Sequence, residues 1–120
     1  MTPQALTALK ESIAHWERVA SGTMFNTESV GANNCALCRE FNWFDLPAGK
    51  SYDDRCVGCP VCDKTGKRFC KGTPYDVFQT KQETLVLSSS FKSWLATPEA
   101  RDLAAKELAF LKSLLPEYEK

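Results

Sequence analysis

The sequence predicts a small α-rich domain with a minor β contribution, in which helices flank a central cysteine-rich zinc lobe carrying one or two short β-hairpins. Three observations predict it. Apolar residues recur at helical spacing towards both ends of the chain, and all six cysteines fall between Cys35 and Cys70. The stretch between the helices is rich in Gly, Asn, Asp and Cys and has no sustained helical period. A chain of 120 residues has material for one core and not two. Residues 1–120 are therefore expected to form a single domain, with a helix over 3–21, a metal lobe over 23–72 and a helical region over 74–115.

Each expected helix has a legible start. Thr2-Pro3, Thr73-Pro74 and Thr97-Pro98 are one device used three times. Threonine can cap free backbone N–H groups, and proline at the first helical position lacks an N–H that would be unpaired there anyway. After Pro3, Leu6, Leu9, Ile13 and Trp16 line one face, and Gly22 supplies a stop. After Pro98, Leu103, Ala104, Leu108, Phe110, Leu111, Leu114 and Leu115 form a broad apolar stripe ended by Pro116. Arg101, Lys106 and Lys112 occupy its other face. Thr73-Pro74-Tyr75-Asp76 has the form of a capping box opening a short helix. In Gln82–Ala96, Leu87, Phe91, Trp94 and Leu95 fit a helix; Thr84–Leu87 would also suit a short strand, and the helix is preferred.

The central segment draws its apolar content from aromatic residues: Phe41, Trp43, Phe44, Tyr52 and Phe69. Two hairpins are expected. One runs from Arg39 to Arg55 with its turn near Pro47-Ala48-Gly49, and the other turns at Asp63-Lys64-Thr65-Gly66, where glycine tolerates positive φ. A segment this polar does not hold its shape by apolar burial alone and needs a staple.

The compartment decides how the cysteines are read. Met1–Leu9 lacks a basic start followed by a long apolar run, so no secretory signal is expected. Apolar runs are short, as at Leu85-Val86-Leu87, and no membrane span is expected. The expected location is the cytoplasm, where thiols stay reduced and clustered cysteines indicate metal or redox chemistry more often than disulfides.

Cys35-Ala36-Leu37-Cys38 and Cys56-Val57-Gly58-Cys59 are two C-x2-C units at a separation suited to a four-cysteine zinc site. A C-x2-C turn aims two sulfurs at one point, and a returning chain brings the second pair that completes a tetrahedron. Cys62 and Cys70 leave the ligand set open. Cys35 and Cys38 enter almost any choice, and Cys56 with Cys59 is preferred as the second pair on spacing. Cys70 is the strongest substitute, and Cys62 a further alternate. Structural zinc is the leading cofactor. An iron–sulfur cluster ranks second, because Cys56-x2-Cys59-x2-Cys62 repeats a ferredoxin-like start whose fourth cysteine is misplaced here. A redox dithiol at Cys59-Pro60-Val61-Cys62 ranks third, since no βαβ pattern precedes it. Buried, inert thiols come last.

His15-Trp16, Cys35-Ala36-Leu37-Cys38, Cys56-Val57-Gly58-Cys59-Pro60-Val61 and Cys70-Lys71-Gly72-Thr73-Pro74-Tyr75 together resemble a group of small cysteine-rich proteins from bacterial, prophage and phage genomes that carry no assigned activity. The resemblance runs from about His15 to Tyr75. It implies a phage-type or mobile-element accessory protein, located in the host cytoplasm if phage-encoded. In that pattern Cys62 is not required, which makes it a bystander and lowers the iron–sulfur reading.

Other candidates are weaker. His15, the only histidine, lies about 180° from Leu6 on a helical projection, and its plainer reading is a surface residue near Glu11. The sharper one makes it a neighbour or ligand of the metal, as its place in the resemblance supports. Ala48-Gly49-Lys50-Ser51 mimics the end of a P-loop, but Phe44 stands where the first glycine is required, and the match is rejected. Lys64, Lys67, Arg68 and Lys71, interleaved with Phe69, form the one basic cluster and could bind nucleic acid. Fifteen basic and fifteen acidic residues cancel, however, and a solvated loop is the plainer view. Phe41, Trp43 and Phe44 are either a small core under the metal or, where exposed, anchors for a protein partner. No hydrolase motif is present. The expected function is thus binding of another macromolecule, a protein before a nucleic acid, with redox chemistry third and no catalysis.

Overall fold

The computed structural model describes residues 1–23, 36–41, 48–51, 55–67, 70–85 and 88–116. Among them every regular element is an α-helix: α1 (Pro3–Ser21), α2 (Ala36–Phe41), α3 (Pro60–Thr65), α4 (Pro74–Thr84), α5 (Ser88–Leu95) and α6 (Pro98–Ser113). None of these helices is long and apolar enough to cross a membrane.

The Thr-Pro starts explain the long helices. The Thr2 hydroxyl accepts from the Ala5 N–H at 3.1 Å and the Thr97 hydroxyl from the Ala100 N–H at 3.3 Å, so α1 and α6 begin on satisfied donors. At the far end of α1, Gly22 takes φ +75°, and the Gly22 and Thr23 N–H groups return to the Val19 and Arg18 carbonyls. That is a Schellman ending, which needs the left-handed conformation that glycine adopts without strain.

α1 is the central element and packs against α6 and α2. It runs antiparallel to α6. Met1 shares a groove with Ser113 and Leu114, Lys112 Nζ lies 3.7 Å from a Glu17 carboxylate oxygen, and the Arg101 guanidinium lies over Gly22. An aromatic chain ties the other helices in. The Trp16 ring meets Tyr75 and Phe78 of α4 edge-on at 5.9 and 4.8 Å, and Phe78 meets Trp94 of α5 at 5.3 Å. Phe78 is wholly buried at the centre of that chain. Trp16 and Trp94 thus each pack between helices.

Several expectations need correction. His15 is not a surface residue: it is 5% exposed, with its ring edge-on to Trp16 at 5.6 Å. The buried arc of α1 centres on Leu9 and Trp16 and includes Ala5, Ala8, Ser12 and His15, while Leu6 is only half-buried at its margin. Small residues widened that arc without adding to the apolar pattern. The hairpin turning at Asp63–Gly66 is absent, because Pro60–Thr65 is helical and Gly66, at φ +69°, is its C-terminal cap. Proline at the first position and a left-handed glycine at the end favour the helix over a strand. Arg39 and Phe41 belong to α2, so no strand begins there; of that expected hairpin, residues 42–47 and 52–54 lie outside the described residues. The helix expected over Gln82–Ala96 starts at Ser88, since α4 runs on to Thr84. Thr84 is therefore helical, and 86–87 of the alternative strand lie outside the described residues.

Candidate functional site

The cysteine-bearing segments are held together by backbone bonds. α2, which carries Cys38, is anchored at both ends. Near its start, the Leu37 N–H donates to the buried hydroxyl of Ser12 on α1 at 3.4 Å. At its end, the Phe41 carbonyl accepts from the Cys56 N–H at 2.6 Å. The Cys56–Cys59 unit is thereby joined to α2, the helix that carries Cys38.

Cys56-Val57-Gly58-Cys59-Pro60 forms a tight turn. The Cys59 N–H donates to the Cys56 carbonyl at 3.1 Å, Gly58 sits at φ +86°, and Pro60 opens α3. The Phe41 ring would lie 3.4 Å from a Cβ added at Gly58, so the turn also seats an aromatic ring. Cys70-Lys71-Gly72-Thr73-Pro74 repeats this device. The Thr73 N–H donates to the Cys70 carbonyl at 3.3 Å, Gly72 sits at φ +78°, and Pro74 opens α4. Cys56 and Cys70 take φ +65° and +60°, and among the described residues they are the two non-glycine residues in that region. A β-carbon there costs roughly 1–2 kcal/mol, so the surroundings must hold both cysteines in place.

The second turn is also locked from α4, by a route other than the expected capping box. The Thr73 hydroxyl donates back to the Cys70 carbonyl at 2.7 Å rather than capping the helix. Asp76 accepts from the Gly72 N–H at 3.3 Å rather than from the Thr73 N–H.

Cys38, Cys56, Cys59, Cys62 and Cys70 line one cavity of about 20 Å³. They stand as thiols, Cys56 and Cys59 being buried and the other three half-buried. Leu37, Phe41 and Val61 supply its apolar wall, and Lys67 reaches its rim. Phe41 thus lies beside the thiols. A volume of this size admits one water-sized sphere. Among the described residues, no three donors from His, Cys, Asp and Glu are grouped closely enough to hold a metal ion. The donor set nonetheless fits zinc in kind, since soft sulfur ligands in a one-sphere cavity match a mononuclear site.

The remaining candidates divide clearly. Cys35, Trp43, Phe44, Arg68 and Phe69 lie outside the described residues. His15 does not line the thiol cavity. Lys64 and Lys71 are exposed, the first on α3 and the second in the Cys70 turn. Lys67 Nζ would lie 3.6 Å from a Cβ at Gly72, placing its charge beside that turn. No protein-family model, curated protein or solved structure matches the chain. Ser12, Thr73 and Asp76 as supports of the cysteine segments were missed in the sequence. The one sequence signal for the paired turns was the C-x-G-x-P spacing, present at both Cys56 and Cys70.

Proposed function

We propose that this chain is a small zinc-stabilised accessory protein that acts by binding another protein, of the kind phage and mobile elements encode. One observation carries the reading: five cysteines from three separate stretches of chain line a single cavity. Zinc held there would supply thiolate bonds whose energy becomes folding energy for a segment with little apolar content. A four-thiolate site leaves no open coordination position, which favours a structural role over a catalytic one.

Protein is favoured over nucleic acid as the partner. Lys64 sits on α3, Lys67 at the thiol cavity and Lys71 in a turn, not on the hairpin on which phosphate contact was expected. The formal net charge is zero. Val57, 63% exposed at the tip of the Cys56 turn, offers an apolar contact of the kind protein partners cover. The host cytoplasm, where such thiols stay reduced, is the setting this reading requires.

Elemental analysis of the natively purified chain tests the first half; one zinc per chain is expected. Titration with a labelled oligonucleotide at low salt tests the second, and salt-dependent binding there would overturn it. Val57→Asp should abolish capture of the protein partner while leaving the metal content unchanged.

A further inference from the structure

We infer that Cys56 and Cys70 are paired ligands of one thiolate metal centre and that Cys62, although it lines the same cavity, is not a ligand. This rests on the proposed zinc reading and adds the ligand assignment. Spacing alone pairs Cys56 with Cys59 and leaves Cys70 as a substitute. The geometry points elsewhere, because Cys56 and Cys70 open two copies of one turn.

The match is detailed. Each cysteine is left-handed, at φ +65° and +60°, and each is followed two residues on by a glycine at φ +86° or +78°. Each carbonyl accepts from the N–H three residues later, at 3.1 and 3.3 Å. Each turn runs straight into a proline-led helix. Both cysteines line the same cavity. A residue with a β-carbon is costly in this conformation, and glycine would serve the turn better. Two cysteines retained there, around one cavity, are explained if each sulfur must be presented to the same ion. Five sulfurs line the cavity and a tetrahedral site takes four; with Cys59 beside Cys56 in the first turn and Cys38 the described sulfur of α2, Cys62, in helical backbone on the first turn of α3, is the one left over. The turns also differ informatively. The position of Cys59 in the first is held by Thr73 in the second, so the first turn can give two sulfurs and the second gives one.

The test uses the full chain with zinc and with cobalt as a spectroscopic substitute. Cys70→Gly is the principal variant, because it removes the thiol while keeping a residue suited to φ +60°. Competition against a chromophoric chelator should show at least about 100-fold weaker zinc binding for Cys70→Gly and for Cys56→Gly, beyond the loss typical of supporting residues. Cys62→Ser should stay within about 3-fold of the parent chain. In Cys70→His, the cobalt ligand-field bands should move to higher energy as one sulfur is replaced by nitrogen, while helix content is retained. Unchanged zinc affinity in Cys70→Gly, or a loss confined to Cys62→Ser, would overturn the assignment and leave the zinc reading standing. A parent chain that binds neither zinc nor cobalt would overturn both.

Discussion

The Leu37 N–H donates to the hydroxyl of Ser12, 25 residues earlier in the chain, and both residues are buried. This bond seats the first turn of α2, and with it Cys38, on the central helix. Ser12→Ala leaves a buried N–H without its acceptor, costing about 1–2 kcal/mol, against roughly 0.5 kcal/mol returned by the higher helix propensity of alanine. A net loss near 1 kcal/mol is expected in urea denaturation. Amide exchange at Leu37 should accelerate more than at Leu111, on the other side of α1.

Phe78 joins Trp16 to Trp94 and has no exposed surface. Phe78→Ala should cost about 3–5 kcal/mol. Against a total stability of about 5–15 kcal/mol for a domain of this kind, much of the folded population is at risk. Denaturant midpoint reports the loss, and a change under 1 kcal/mol would contradict the packing described.

Thr73 and Thr97 occupy the same sequence device and do different work. Thr97 caps α6, so Thr97→Ala should cost about 1 kcal/mol of stability. Both hydroxyls donate to the carbonyl three residues back, Thr97 to Trp94 at 2.6 Å and Thr73 to Cys70 at 2.7 Å, but Thr73 makes no cap, and the carbonyl it holds belongs to a residue lining the thiol cavity. Thr73→Ala should therefore weaken zinc binding about 10-fold, an effect Thr97→Ala should lack. Chelator competition on the two variants side by side separates the roles.

Much of this frame was legible from residue pattern. Three proline-led starts, the glycine stop at Gly22 and the leucine stripe of α6 each reflect a local backbone or burial rule that acts over one or two turns. His15 escaped because the small residues Ala5, Ala8 and Ser12 are buried beside the large apolar ones and so shift the true face of α1 away from Leu6. α3 escaped because six residues, under two turns, are too few to display a helical period. The thiol cavity was legible as a cluster but not as a geometry. C-x2-C spacing drew attention to Cys56 with Cys59, whereas the C-x-G-x-P repeat at Cys56 and Cys70 gains its meaning once their φ values are known.

Lys67 reaches the rim of the thiol cavity. Thiolates gathered around one zinc carry net negative charge, and a nearby ammonium offsets part of it. Lys67→Met should weaken zinc binding about 10-fold, with the effect shrinking as salt is added. Lys71→Met, in the neighbouring Cys70 turn but exposed, should leave affinity unchanged.

Hydrogen exchange read by mass spectrometry, with and without a strong chelator, probes most directly whether metal–thiolate bonds hold the cysteine segments. Native mass spectra of the same samples give the metal count. One zinc per chain is expected, with chelation exposing the amides of residues 36–41 and 55–73 while those of α1 and α6 stay protected. A metal-free chain whose cysteine segments exchange as slowly as its long helices would contradict it.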